Sequence, residues 1–240
     1  MAVEKAKRKR KKISDLQPER TQMPIQDPAE RIRNFAEVTF GYSEEDALLE
    51  ADRCLVCPRA KCTDACPVSI DIATFIQQIS DGDFRSAWLT ITDANLMPAV
   101  CGRVCPQEDQ CEGVCVIGKK LEPVAIGRLE RYLGDLAIKE GWTAEPDIEP
   151  NGLRIGIVGS GPAGIACAAD MAKAGCEVTV FEALHKPGGV LRYGIPEFRL
   201  PDDVIDAEVD NLKNLGVKVE CNTLVGRLFS LVQMVGEVGF

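Results

Sequence analysis

The sequence predicts two unlike units in tandem: a helical domain that gathers cysteines around metal and, after a linker, the opening of an α/β Rossmann-like domain. Three observations carry this expectation. Eight of the eleven cysteines fall in two groups between Cys54 and Cys115, the apolar period changes from helical to strand-like beyond residue 152, and a glycine-rich fingerprint at 159–164 follows the first short apolar strand. The 240 residues, 45% hydrophobic and 27% charged, suffice for one large or two modest globular domains and match neither a disordered nor a membrane composition. No apolar run reaches the roughly 18 residues of a spanning helix, and the charged start lacks the pattern of a secretory leader. The expected location is therefore cytoplasmic.

Residues 1–27 read as a basic disordered arm. Lys5, Lys7, Arg8, Lys9, Arg10, Lys11 and Lys12 stand against Glu4 alone, and Pro18, Pro24 and Pro28 interrupt regular structure. The rest of the chain carries more than the whole net charge of -9, which argues against nucleic acid as its main ligand. Residues 28–141 are expected to be helical. Ser43 followed by Glu44, Glu45 and Asp46 looks like a cap and acidic first turn for a helix running to about Cys54. Ile72–Ile79 and Phe84–Thr92 show helical apolar spacing on either side of Gly82, and Val124–Glu140 carries Ile126, Leu129, Leu133 and Leu136 on one face. Residues 142–152, rich in proline and acid, read as a linker. In 153–240 the expected elements are a strand at 154–158, an alanine-rich helix at 162–174, a strand at 177–181, a helix near 202–215 ending at Gly216, and a strand at 217–219.

The first cysteine group runs Cys54-x2-Cys57-x4-Cys62-x3-Cys66-Pro67 and the second Cys101-x3-Cys105-Pro106-x4-Cys111-x3-Cys115. Disulfides are not expected in a cytoplasmic chain of this length. Runs of this spacing wrap several thiolates around one metal centre, and a final cysteine followed by proline can turn toward a second centre, as in two-cluster ferredoxins. A four-cysteine zinc site normally shows two Cys-x2-Cys knuckles. Here Cys54 and Cys57 make one such pair, and both groups contain Cys-Pro, so iron-sulfur chemistry is the expectation and zinc the alternative.

In the second unit, Gly159, Ser160, Gly161, Pro162, Ala163 and Gly164 follow a strand and open a helix, where backbone amides and the positive helix end seat pyrophosphate. Glu182 closes the second strand, at the position where a carboxylate accepts hydrogen bonds from ribose hydroxyls and repels a 2′-phosphate. NAD and FAD both fit these residues. Ser160 lacks the Gly-x-Ser-x-Gly context of a hydrolase nucleophile. His185, the only histidine, reads as a loop residue, and no acid/base constellation stands out.

Cys101-Gly102-Arg103-Val104-Cys105-Pro106-Gln107 and Ile126-Gly127-Arg128-Leu129-Glu130-Arg131 are specific enough to carry a resemblance. From about Asp27 to Val225 the chain resembles the small subunit of glutamate synthase, the FAD-containing large subunit of NADH-dependent ferredoxin:NADP oxidoreductase and, more distantly, the N-terminal region of dihydropyrimidine dehydrogenase. The resemblance implies two 4Fe-4S clusters with crossed ligation, one on Cys54, Cys57, Cys62 and Cys115, the other on Cys66, Cys105, Cys111 and the carboxylate of Glu130. Spacing alone makes Cys101 a ligand, whereas the resemblance implies that it is not one. Without the resemblance, Glu130 would read as a solvent-facing helix carboxylate. The segments His185–Leu191 and Tyr193–Pro201 resemble the family's flavin region and imply FAD, with contacts from Gly188, Gly189, Val190, Arg199 and Val225.

Members of that family continue into a second dinucleotide domain. The expectations are therefore a partial FAD domain, either truncated or completed by a partner chain, and an NAD(P)H site outside these residues. Other redox subunits, among them a ferredoxin or flavoprotein, are the expected partners. The function implied is an electron-transfer subunit of an NAD(P)H-linked oxidoreductase. The alternatives are a cluster-carrying subunit without flavin and a zinc-dependent nucleic-acid module.

Overall fold

A computed structural model of the chain describes residues 11–143, 148–228 and 230–238. The extreme basic run at 1–10 lies outside the described residues, but the remainder of the expected arm does not stand free. After a single turn at Ile13–Asp15, the chain is laid across the helical domain. Thr21 N–H donates to Glu50 Oε2 at 2.7 Å, Arg20 N–H to Glu122 Oε2 at 2.7 Å, and Glu122 N–H to the Pro18 carbonyl at 3.1 Å. The physical cause is Arg53, buried at 2% exposure behind this segment. Its guanidinium takes up the carbonyls of Gln17, Pro18, Glu122 and Pro123 as well as Glu50. A buried cation requires such acceptors, and the prolines of the arm leave their carbonyls available.

Helix α1 (Pro28–Arg31) is a single turn capped by Asp27. Helix α2 (Glu44–Asp52) opens on the expected Ser43, which forms a capping box with Asp46, and α3 (Lys61–Asp64) is one turn between cysteines. Helices α4 (Ile72–Ser80) and α5 (Phe84–Thr92) are capped by Asp71 and Asp83. They form a hairpin through Gly82, whose φ of 77° is in the left-handed region that glycine adopts without cost. Ile72, Phe75, Ile76, Ile79 and Ile91 from this hairpin meet Ile126, Leu129 and Leu133 of α7 (Ile126–Glu140) in one core. Each such side chain contributes roughly 1.5–3 kcal/mol on burial.

Helix α6 (Pro98–Val104) falls in the region expected to be helical, at a place where apolar spacing singled out no element. Pro98 sits in its first turn, where its missing N–H costs nothing. Gly102 is required by a close approach: a Cβ there would lie 2.4 Å from the backbone N of Arg131, and one on Gly134 would lie 2.4 Å from the N of Ala99. Helices α6 and α7 thus pack backbone against backbone. That contact brings the turn of the second cysteine group onto the helix bearing Glu130.

The linker expected at 142–152 is anchored at both ends, with 144–147 outside the described residues. Trp142 packs edge-on against Trp88 at 5.9 Å, with Arg85 over both rings, and Asn151 N–H donates to the Gly175 carbonyl at 2.9 Å. Beyond it, β1 (Arg154–Val158), β2 (Glu177–Phe181) and β3 (Lys218–Glu220) form a parallel sheet in the order β1-β2-β3, with Ile157 opposite Val180 and Val180 opposite Val219. Helix α8 (Pro162–Lys173) makes the β1-to-β2 crossover, followed by the turn α9 (Val190–Tyr193), α10 (Asp202–Asn214) and the short α11 (Leu231–Gln233). β2 is central and buried, whereas among the described residues no named strand pairs with the outer side of β1, and Val158 is 58% exposed.

Helix α6 also joins the two units. Its Ala99 and Val100, with Leu96 and Met97 before it, share a core with Ile165, Ala169 and Ile205 of the sheet domain. Glu208 of α10, buried at 2% exposure, accepts the Ala99 N–H at 3.0 Å. Burial pushes the Glu208 carboxyl up to about 7, with the Ala99 and Asn211 donors working the other way. The folded protein therefore holds this proton more tightly than the unfolded chain does. The stability it contributes is complete below the ordinary carboxylate range and is lost as pH rises through about 7. Glu208→Gln keeps an acceptor for Ala99 without the charge, and is expected to be the more stable form at pH 8 by about 1–3 kcal/mol and to be level with the parent at about pH 4. Thermal unfolding at the two pH values checks this; a variant less stable than the parent at pH 8 contradicts it.

Candidate metal centres and dinucleotide site

Cys54 follows directly on α2 and the buried Arg53, Cys57 lies in the next turn, and Cys62 is on α3. The turn is tight: Val56 has a φ of 47°, and its N–H donates to Cys54 Sγ at 3.4 Å. Cys115 reaches the same place from the second group. These four thiols line one cavity whose other walls include Ile72, Ile76, Val124 and Ile126. Burial pushes the Cys54 thiol up to about 12 and the Cys62 thiol to about 11, and the thiols oppose one another's ionisation. Four sulfurs so placed ionise together only around a strongly positive centre. Among the described residues no three His, Cys, Asp or Glu groups are arranged to hold a single metal ion. The fit to a cubane, which takes its ligands at separate corners, rests on the shared cavity and the apolar walls.

The second set forms at the α6/α7 contact. Cys105 is the C-cap of α6, Cys111 is buried after the turn Gln107–Asp109, and Glu130 points inward from α7 at 7% exposure. Burial pushes the Cys111 thiol up to about 12, with Glu112, Glu130 and Cys66 close enough to add to the shift. The Glu130 carboxyl is pushed up to about 8, chiefly by burial and then by Cys105, while a hydrogen bond from Asn95 Nδ2 at 2.9 Å opposes the shift. The reading of Glu130 as a solvent-facing helix carboxylate is thus corrected: α7 turns this face onto α6. Cys101 stands beside the set. Its thiol hydrogen-bonds to Cys105, raising its own pKa and lowering that of Cys105 to about 7.

The two sequence motifs acquire physical reasons here. Gln107 lies over Gly127, where a Cβ would come within 2.4 Å of its Nε2, and donates to the carbonyls of Cys101 and Gly102. Arg103 and Arg131 share Glu37 and Asp135, and Arg128 donates to the Thr21 carbonyl at 2.8 Å. Three contributors escaped sequence reasoning: Asn95, Glu208 and the Glu50–Arg53 pair. Of these, the i,i+3 spacing of Glu50 and Arg53 just before Cys54 is a readable signal, whereas nothing local marks the other two.

In the sheet domain, Gly159 has a φ of 96°, and a Cβ on Gly164 would lie 2.0 Å from the Gly159 carbonyl, so the first and last glycines of the fingerprint are forced by the β1-to-α8 turn. Pro162 and Ala163 open α8, and Gly161 is its N-cap. Gly188 and Gly189 both have positive φ, and the latter lies against Gly161, where a Cβ would come within 2.7 Å of its Cα. Glu182 is buried and tied into this loop. It accepts from Ser160 N–H at 2.9 Å, from the Ser160 hydroxyl, and from Leu184 N–H at 2.8 Å. Burial works against its charge, yet these donors hold its carboxyl below the ordinary value. Ser160 therefore ties Glu182 to the fingerprint, a job that sequence reading did not assign to it. Val190 is exposed, Val225 half-buried beyond β3, and Arg199 lies along the seam between the units, lining a cavity with Met23, Arg103, Arg131 and Phe198.

Fold and site together define a cysteine-bearing helical domain joined to a Rossmann-like dinucleotide domain. Comparison with known proteins agrees. Residues 31–142 match the family described as dihydropyrimidine dehydrogenase domain II, 4Fe-4S cluster, and residues 157–214 match the NAD(P)-binding Rossmann-like domain. The chain is a relative of the NAD-dependent dihydropyrimidine dehydrogenase subunit PreT of Escherichia coli, at 39% identity over 84% of this chain and 49% of that protein. It is equally similar to the glutamate synthase (NADPH) small chain of Azospirillum brasilense, at 39% over 88% of this chain and 45% of the relative. The putative oxidoreductase UacF of Escherichia coli is 33% identical over 95% of this chain and 37% of its own length. The resemblance read from the motifs thus holds over most of the chain, which spans about half the length of the curated relatives it matches. No described helix is long and apolar enough to cross a membrane.

Proposed function

We propose that the chain is the iron-sulfur flavoprotein part of an NAD(P)H-linked oxidoreductase, carrying two 4Fe-4S clusters and FAD. The observation that supports it most is the interleaving of the two cysteine groups. Cys115 lies with Cys54, Cys57 and Cys62, and Cys66 is near Cys111, on the side of Cys105 and Glu130. Bound there, the clusters would pass single electrons, and the flavin would couple them to hydride chemistry.

The residues of the chain divide that work. Ile72, Ile76, Val124 and Ile126 exclude water from the first set, and Glu130 supplies a hard oxygen to the second. The fingerprint amides would seat pyrophosphate at the start of α8, and Glu182, held by Ser160, would orient a ribose. The Gly188–Gly189 turn against Gly161 favours FAD over a free nicotinamide nucleotide, because it brings the segment that resembles the family's flavin region onto the pyrophosphate loop. Partner chains would supply the terminal reaction, as the words "subunit" and "small chain" in the relatives' names suggest.

Purification under nitrogen followed by acid extraction tests the proposal. About eight iron and eight sulfide per chain, with one FAD, is the expected result; far fewer irons reject the cluster assignment. The small sheet, three strands among the described residues with Val158 exposed beside the fingerprint, favours one other reading, a cluster-carrying subunit that holds no flavin by itself. Full iron with no extractable FAD selects that reading.

A further inference from the structure

The loop between α5 and α6 places one buried polar side chain against the second cluster's ligands. Asn95 is 8% exposed and is pinned at three points. Its Nδ2 donates to Glu130 Oε1 at 2.9 Å, and its Oδ1 accepts from Met97 N–H at 3.1 Å and from the Cys101 thiol at 3.6 Å. Two donors converge on Oδ1, which settles the orientation of the amide: rotated by half a turn, it would set an acceptor against the carboxylate and a donor against the Met97 amide. The loop itself is held by Asn95 N–H on the Ile91 carbonyl at 2.8 Å. Among the described residues Asn95 is the hydrogen-bond donor to Glu130, and no lysine or arginine pairs with that carboxylate.

We infer that Asn95 is a positioning residue for the second cluster, holding one oxygen of Glu130 so that the other is presented to iron, with the Cys101 thiol filling the space behind it. The inference rests on the proposed ligation by Glu130. The chemistry explains why a carboxylate needs such a partner where a thiolate does not. Glutamate has two equivalent oxygens on a long flexible side chain, and a metal-bound carboxylate is oriented and tuned by the donor on its free oxygen. A cysteine presents a single sulfur on a short stem. Cys101 fits the same role as a small neutral thiol beside Asn95 and Cys105, its one proton given to Asn95 Oδ1, which accounts for a cysteine that the crossed ligation leaves out.

The test compares wild type, Asn95→Leu, Glu130→Cys and the double variant, each loaded anaerobically with iron and sulfide. It reads iron content, the EPR signal of each reduced cluster and each midpoint potential. Asn95→Leu keeps the shape and removes both polar ends. It is expected to lose about four irons per chain or, if loaded, to shift the potential and EPR signal of one cluster while leaving the other unchanged. In the Glu130→Cys background the same substitution is expected to change neither iron content nor potential. Should Asn95→Leu prove insoluble, Asn95→Asp, which keeps the acceptor for Met97 and replaces the donor to Glu130, carries the same comparison. Unchanged potentials and iron in the single variant overturn the inference, as do equal losses from both clusters or a double variant as deficient as Asn95→Leu. Glu130→Ala retaining its full iron would instead remove the ligand assignment itself.

Discussion

Cys115→Ser is expected to halve the iron of the anaerobically purified protein, from about eight atoms per chain to about four, and to abolish the same EPR signal that Cys54→Ser abolishes. Linear order predicts otherwise, since Cys115 ends the second group and would fail together with Cys105 and Cys111. In the fold, Cys115 lines the cavity of Cys54, Cys57 and Cys62, whereas Cys111 feels Cys66 and Glu130. Cys101→Ser serves as the control and should keep both signals, because Cys101 stands behind Cys105 as a neutral thiol. If Cys115→Ser loses the signal shared with Cys111→Ser, or Cys101→Ser loses a cluster, the crossed assignment is wrong.

Arg53→Met should cost about 3–5 kcal/mol, because it leaves the Glu50 carboxylate, at 0% exposure, buried without its cation. The melting temperature should fall on the order of 10 °C for a chain of this size. Arg53→Lys is expected to recover only a fraction of the loss. One ammonium cannot reach the carbonyls of Gln17, Pro18, Glu122 and Pro123 that the guanidinium fork serves together. Those carbonyls belong to the N-terminal segment and to the chain entering α7, so the loss should also expose the backbone near Arg20. Trypsin cleavage there, fast in the variants and slow in the parent, reports it. A variant within 1 kcal/mol of the parent, by the ordinary scatter of surface changes, would show that the pair is dispensable.

Much of this architecture was legible before any coordinates. The strands at 154–158 and 177–181 fall on short runs rich in β-branched residues, Ile155, Ile157 and Val158 in the first and Val178, Thr179 and Val180 in the second, and α2, α4 and α5 begin at their side-chain caps. These features depend on neighbours within a few residues, which sequence displays directly. The same holds for the fingerprint, where Gly159 and Gly164 answer a local turn.

The unexpected features depend on contacts between distant segments. Helix α6 went unassigned because the reason for Gly102, the approach of the Arg131 backbone, lies in a distant segment. The arm looked free because the requirement for its carbonyls resides on Arg53, and the Arg20 amide is taken by Glu122. By itself the sequence determined that two cysteine groups, a helical scaffold and a dinucleotide turn occur in this order, because composition, caps and short-range spacing are properties of the chain. Only the tertiary structure decided which thiols share a cavity, that Glu130 turns inward, and that Asn95 and Glu208 stand beside it and beside α6, because burial and hydrogen-bond partnership are set by which helices meet.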